Sequence, residues 1–217
     1  MPLIYDKPIN SKTRIGIWEA TEDEDFFISS LGLADEEVRK IEDMRPHRRK
    51  EWLSSRMLCH KLSGCKKRAH VIKDENGKPS LHDHTDHISI SHSHNRAAVI
   101  ISDTLVGIDV QKHEEKIVRI QHKFISDLER DKLDRSRLLD AYHIFWGAKE
   151  CMYKAYGKKE LDFKKHMHLY PFKIFQNQLE LKGWVKKDDV NQSYTVHTDK
   201  LDNYYLTYSI LDDEAAV

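Results

Sequence analysis

Three charged side chains in two separate segments carry the strongest chemical signal in this sequence. Asp109 interrupts an apolar run, Val106-Gly107-Ile108-Asp109-Val110-Gln111, and Glu150 and Lys154 stand four apart in the stretch from Phe145 to Tyr156. Residues two apart on a strand share a face, so Asp109 and Gln111 point together. Residues four apart on a helix stack, so Trp146, Glu150 and Lys154 form one stripe. Two carboxylates and an amide oxygen are hard donors suited to Mg²⁺, an ion that usually takes phosphate oxygens as well. Each piece also has a plainer reading. A surface i,i+4 ion pair explains Glu150 and Lys154 alone, and Asp109 alone could end its strand and cap a turn.

Two further clusters could meet an anion or a metal. His82, His84, His87, His92 and His94 crowd into one short segment that contains Ser89-Ile90-Ser91-His92-Ser93. Imidazoles suit Zn²⁺ or Ni²⁺, but the spacing matches no standard zinc signature and no cysteine lies nearby. A solvated loop is the alternative, with His92 and Ser91 at a strand end placed to donate to phosphate. Arg45, Arg48, Arg49 and Lys50 form a basic run, and Lys66-Lys67-Arg68 forms another. They read either as solvated helix faces or as guanidinium forks for a phosphate, with Lys78 of Asn76-Gly77-Lys78-Pro79 adding an ammonium.

Hydrophobic spacing supplies the elements that must position these groups. Leu138, Tyr142, Phe145, Met152 and Tyr156 recur on one helical stripe, which predicts a long helix from about Arg137 to Gly157. Pro46 disfavours helix at Arg45, so a break is expected there; a second helix is expected from about Arg48 to Leu62, with Gly64 just past its end. Shorter helices are expected over Asp25–Leu31, after a cap at Asp35, and over Ile117–Ile125. Strands are expected at Arg14–Trp18, Ile88–Ser91, Ala97–Ser102, Val106–Val110, Phe172–Phe175, Leu179–Val185, Tyr194–His197 and Tyr204–Leu211, with a hairpin joining the second and third. Both halves, 1–104 and 105–217, follow the order strand, helices, antiparallel strands. The fold class expected is therefore α+β.

Bulk properties exclude several classes. Lys+Arg and Asp+Glu both number 36, so the formal net charge is zero and bulk charge argues against a nucleic-acid partner. A mean hydropathy of -0.69 without an apolar window of spanning length argues against a membrane protein. Cys59, Cys65 and Cys151 form no CxxC pair, and the first ten residues hold no signal-type apolar run, so a reducing cytoplasm is expected.

Taken in order, four segments resemble the 4′-phosphopantetheinyl transferases of the surfactin-synthetase type. Asn76-Gly77-Lys78-Pro79 is similar to the family's Gly-Lys-Pro turn, and Ile88 to Ser93 to its Ser-His-Ser strand end. Val106 to Gln111 is similar to its Gly-x-Asp-x-Glu strand, and Trp146 to Lys154 to its Trp-x-x-Lys-Glu-x-x-x-Lys helix. The resemblance spans roughly residues 45 to 160. One position departs: the family usually carries Glu where this chain has Gln111.

The resemblance implies a pseudo-dimer of two similar halves, each a small antiparallel sheet packed on a long helix. It implies a monomer with an internal pseudo-two-fold and coenzyme A in the cleft between the halves. The implied reaction is Mg²⁺-dependent transfer of phosphopantetheine from coenzyme A to a serine of an apo acyl or peptidyl carrier protein, releasing adenosine 3′,5′-bisphosphate. Asp109, Gln111 and Glu150 are then the metal ligands, and Glu150, Lys154 and Asp109 the catalytic set. Lys78, Ser91, His92, Arg49 and Lys154 are the expected coenzyme A contacts, and the segment Ile117 to Ser126 is the expected carrier-docking surface. Rival readings are a non-catalytic relative that binds coenzyme A or a carrier protein, and a histidine-rich metal-binding protein.

Overall fold

A computed structural model describes residues 2–68 and 70–212. It divides into two compact units. One holds the chain up to Asp74 together with Pro79–Asp103; the other holds Glu75–Lys78 and the chain from Thr104 onward. The short turn Glu75–Lys78 thus joins the second unit, where Lys78 Nζ donates to the Ala155 carbonyl at 2.7 Å.

In the N-terminal unit, strands β1 (Leu3–Pro8) and β2 (Arg14–Glu19) precede three helices, α1 (Glu24–Leu31), α2 (Asp35–Glu42) and α3 (Pro46–Ser63). Strands β3 (Val71–Lys73), β4 (Pro79–Leu81), β5 (His87–Ser93) and β6 (Arg96–Ser102) follow, and the antiparallel sheet runs β1-β2-β6-β5-β4-β3. Local chemistry explains the helix bounds. Proline at the first position of α3 needs no N–H partner there, and Gly64 at φ 66° closes the helix in the left-handed region. Helix α2 is capped by Ala34 rather than Asp35: the Ala34 N–H donates to Glu37 Oε2 at 3.2 Å, and Asp35 is already helical. Helix α3 lies on β2 and β6, with Leu58 and Leu62 against Gly16.

The C-terminal unit opens with β7 (Val106–Lys112), then short helices α4 (Ile117–Ile120) and α5 (Asp127–Arg130) and the long helix α6 (Leu138–Tyr156). Strands β8 (Met167–Leu169), β9 (Gln178–Lys187), β10 (Val190–Leu201) and β11 (Tyr204–Leu211) complete an antiparallel sheet ordered β7-β11-β10-β9-β8. Leaving out β1, the two sheets have the same connectivity. In each, the strand before the helices pairs with the last strand of its unit, and the helix on top lies over that pair. Residues 172–175 form no strand. Phe172 instead packs on Phe145 at 5.3 Å and Ile174 is buried, so these two fill core from a loop while Phe175 is exposed.

Candidate active site

The placement of α6 on β7 decides what the acids can do. Val106, Ile108 and Val110 point to one face of β7 and are buried, so Gly107, Asp109 and Gln111 share the other. That face is covered by α6. At Gly107 the approach is backbone to backbone: a Cβ there would sit 1.8 Å from the Cys151 carbonyl oxygen. One turn earlier, Gly147 gives a second close approach, where a Cβ would meet Thr207 Oγ1 at 2.7 Å and Gln111 Nε2 at 2.8 Å. These contacts select His143, Gly147, Glu150 and Lys154 as the stripe facing β7, spaced three and four apart. Trp146, expected on that stripe, turns aside to Phe124 and Phe163, with ring centroids at 5.2 and 5.8 Å.

Asp109, Glu150 and Lys154 are brought together. Lys154 Nζ donates to Asp109 Oδ1 at 2.9 Å and to the Ile108 carbonyl at 2.8 Å. Burial works against the Lys154 ammonium, but Asp109, Cys151 and Glu150 outweigh it and hold its proton more tightly than usual. Among the described residues, no hydrogen bond or ion pair within 4 Å holds the Glu150 carboxylate. Burial pushes its pKa up to about 7; Lys154 opposes this and Asp109 adds to it. A carboxylate left uncompensated beside a second one fits a divalent cation, because the ion replaces the water that each oxygen has lost. Asp109 and Glu150 are hard oxygen donors of the type Mg²⁺ takes.

Gln111 is on the same face but its amide is held elsewhere. Its Oε1 lies 2.7 Å from His143 Nδ1, and its Nε2 donates to the His143 carbonyl at 3.0 Å. Lys149, whose partner could not be read from sequence, is wholly buried. Its ammonium donates to Glu129 Oε2 and the Phe124 carbonyl, each at 2.7 Å, and to the Phe163 carbonyl at 2.9 Å. Lys78 sits at the end of α6, bonded to Ala155 and packed on Gly157, which closes the helix at φ 73°. An ammonium there suits the negative end of the helix.

The remaining expected contacts lie in the N-terminal unit. Ser91 and His92 are adjacent on β5, opposite Ala98 and Ala97 of β6. His92 borders a basin of about 700 Å³ whose walls also carry Lys40, Arg48, Trp52, Arg56 and Lys73. Arg49 is not on that wall: its Nε donates to the Met44 carbonyl at 2.9 Å and its Nη2 to the Glu42 carbonyl at 2.8 Å, which ties α2 to α3. Arg56 was missed from sequence because it falls among Leu53, Met57 and Leu58 on the apolar side of α3. It is 8% exposed, lies over the Trp52 ring at 4.5 Å and donates to Ser55 Oγ at 3.1 Å. Among the described residues no carboxylate forms an ion pair with it. Burial makes its guanidinium easier to deprotonate than usual, which an incoming anion would reverse. Its i,i+4 relation to Trp52 was the available signal.

Among the described residues, no three His, Cys, Asp or Glu side chains gather as a metal cluster, and the histidines from 82 to 94 are no exception. A cavity of about 230 Å³, bounded by Phe145, Phe172 and Trp184 and touched by Glu129, holds neither Asp109 nor Glu150. No helix among the described residues is long and apolar enough to cross a membrane.

Comparison with known proteins bears on the C-terminal unit. No curated protein matches the chain. Residues 105–209 match the family model of the 4′-phosphopantetheinyl transferase superfamily, a span that contains β7, α6 and the whole Asp109–Glu150–Lys154 group. With its two antiparallel sheets, each under a long helix, the fold is compatible with that match, which lies within the C-terminal unit.

Proposed function

We propose that this protein transfers the 4′-phosphopantetheine group of coenzyme A to a serine hydroxyl of an apo acyl or peptidyl carrier protein, in the manner of the surfactin-synthetase type. The observation that carries the reading is the meeting of Asp109, Glu150 and Lys154 inside the segment that matches the superfamily. Asp109 and Glu150 are proposed to hold Mg²⁺, with Gln111 supporting them from the next position on that face. When bound, the ion supplies neutralising charge at a pyrophosphate. Phosphoryl transfer needs alignment and charge neutralisation more than covalent help from the protein.

In the proposed reaction the serine oxygen forms the new bond to phosphorus. The bond to adenosine 3′,5′-bisphosphate breaks, and the serine proton leaves. Lys154 stabilises charge that develops on the departing phosphate. Glu150 would accept the serine proton only while it is not a ligand of the ion; as a ligand it is a poor base, and water takes the proton instead. Lys78 at the end of α6 is a further cation for phosphate. In the N-terminal unit, Arg56, Arg48, Lys73 and His92 form an anion-accepting basin, proposed to bind a phosphate of coenzyme A, with Ser91 beside it. Arg49 is proposed to act indirectly, by fixing the start of α3.

The test is the intact mass of several apo carrier proteins after incubation with the protein, coenzyme A and Mg²⁺. A gain of one phosphopantetheine on at least one carrier is expected. Binding of coenzyme A with no gain on any carrier contradicts transfer and favours the non-catalytic reading.

A further inference from the structure

Gln111 occupies a slot built for a carboxamide. Its Oε1 meets His143 Nδ1 at 2.7 Å and its Nε2 donates to the His143 carbonyl at 3.0 Å. The opposite imidazole nitrogen accepts from the Glu114 backbone N–H at 3.1 Å. The same nitrogen lies 3.2 Å from the Glu114 carbonyl; with the ring proton on Nδ1 it accepts from the Glu114 N–H while Nδ1–H donates to Gln111 Oε1, and that neutral tautomer pairs with the carboxamide. The ring is buried at 2% exposure and stacked on Tyr205, centroids 5.5 Å apart at 14°. Tyr205 in turn stands opposite Gln111 in the β7–β11 register. The far wall is Gly147, whose lack of a side chain leaves room for the Gln111 Nε2.

A carboxylate at position 111 would not fit these partners. It has no hydrogen to give, and one of its oxygens would face the His143 carbonyl oxygen across a hydrogen-bond distance. We infer that Gln111 and His143 form a positioning pair that locks β7 to α6, setting the separation of Asp109 and Glu150 without Gln111 itself ligating the ion. The inference rests on the proposed metal site and gives the departure from the family's Gly-x-Asp-x-Glu pattern a physical reason. Gln111 and Asp109 are two apart on β7, and His143 and Glu150 lie on the same stripe of α6. Loss of the Gln111–His143 bond therefore acts on the separation of the two acids.

Mn²⁺ binding with coenzyme A present, read from the electron-paramagnetic-resonance signal of the free ion, tests this independently of transfer. Wild-type protein should bind one Mn²⁺, and Glu150→Gln should lose it. His143→Leu, which touches neither acid, should weaken Mn²⁺ by about 10- to 100-fold, the usual effect of removing a group that orients a ligand. Gln111→Ala should weaken it to the same extent, and the double variant should be no worse than either single. His143→Asn, which keeps a donor near the Nδ1 position, should recover part of the affinity. Gln111→Glu should bind no more tightly than wild type. Tighter binding by Gln111→Glu, or unchanged binding by His143→Leu in a variant that unfolds cooperatively, overturns the inference and makes Gln111 a direct ligand. Absence of Glu150-dependent Mn²⁺ binding in the wild type overturns the proposed metal site and the inference together.

Discussion

Lys149 and Glu129 meet at 2.7 Å with no part of the Lys149 side chain exposed. Each charge is saturated. The ammonium has three acceptors, and the carboxylate also accepts from Ser126 N, Ser126 Oγ and Leu169 N at 2.9, 2.8 and 3.1 Å. The pair joins α6 to α5 and to β8, directly beside Glu150. Removing one partner strands the other charge in a dry interior, which costs about 3–5 kcal/mol. Lys149→Met should lower the urea-unfolding free energy by that amount. A loss under 1 kcal/mol would show that Glu129 is easily rehydrated.

Gly107→Ala should be among the most damaging single-methyl additions in the C-terminal unit. The new Cβ would lie 1.8 Å from the Cys151 carbonyl oxygen, a backbone atom that cannot turn away. Helix α6 must lift off β7, and Asp109 and Glu150 then separate. Gly147→Ala meets side-chain ends at 2.7 and 2.8 Å and should be milder. Thermal unfolding and transfer rate should both fall further for Gly107→Ala; the reverse order would show that the helix is held elsewhere.

The sequence made these acids visible because their periodicities were clean. Asp109 stood in an otherwise apolar alternation, and Glu150 and Lys154 lay on a long amphipathic helix, so tertiary packing had only to bring two strong elements together. What stayed hidden depended on contacts between distant segments. The exchange of hydrogen bonds between Gln111 and His143 pairs residues 32 apart, and nothing local marks it. Arg56 hid in the apolar side of α3, because a guanidinium over Trp52 needs a wall that only the folded unit supplies. Arg49 belonged to a basic run that reads as an anion site, yet backbone carbonyls of the preceding turn claim it. The short strands β3, β4 and β8 are three residues each and carry too few alternations to read. The run Phe172–Phe175 had strand composition but pairs with no strand, because Phe172 and Ile174 turn into the core instead. Both sheets share one connectivity, yet the position two residues after the glycine is Trp18 in β2 and Asp109 in β7. The same frame places a core indole in one unit and a buried carboxylate in the other.

Two buried groups should give the metal-free protein opposing pH slopes. His143 is held neutral, its pKa brought down to about 4 by burial, with His113 and Lys200 adding to it. Its contribution is present above the unfolded value of 6.5 and lost as pH falls toward 4, about 3 kcal/mol in all. Glu150 goes the other way. Its contribution is present below the unfolded value of 4.5 and lost as pH rises through about 7. Glu150→Gln should therefore be more stable than wild type at pH ~8 and equal to it near pH ~4.5, with Mg²⁺ narrowing the gap at high pH. Equal stability at both pH values would mean that Glu150 is already solvated.

Arg56 and Arg49 should separate binding from structure. Arg56→Ala should raise the Kd for coenzyme A by about 10- to 100-fold, the size of one or two charged hydrogen bonds, measured by calorimetry. Arg49→Ala should leave that Kd within about threefold and lower the Tm, because its bonds go to backbone carbonyls. The opposite pattern would move the anion site to the start of α3.

Transfer by acid-site variants is the most direct test of the central claim, that Asp109 and Glu150 act as one centre. Wild type, Asp109→Ala and Glu150→Ala are each incubated with coenzyme A, Mg²⁺ and an apo carrier that the wild type modifies, and the carrier is weighed intact. The wild type should add one phosphopantetheine and lose this activity on chelation of the metal, while both variants, still folded, leave the carrier unchanged. Full transfer by either variant, or by the wild type in excess chelator, would contradict the account.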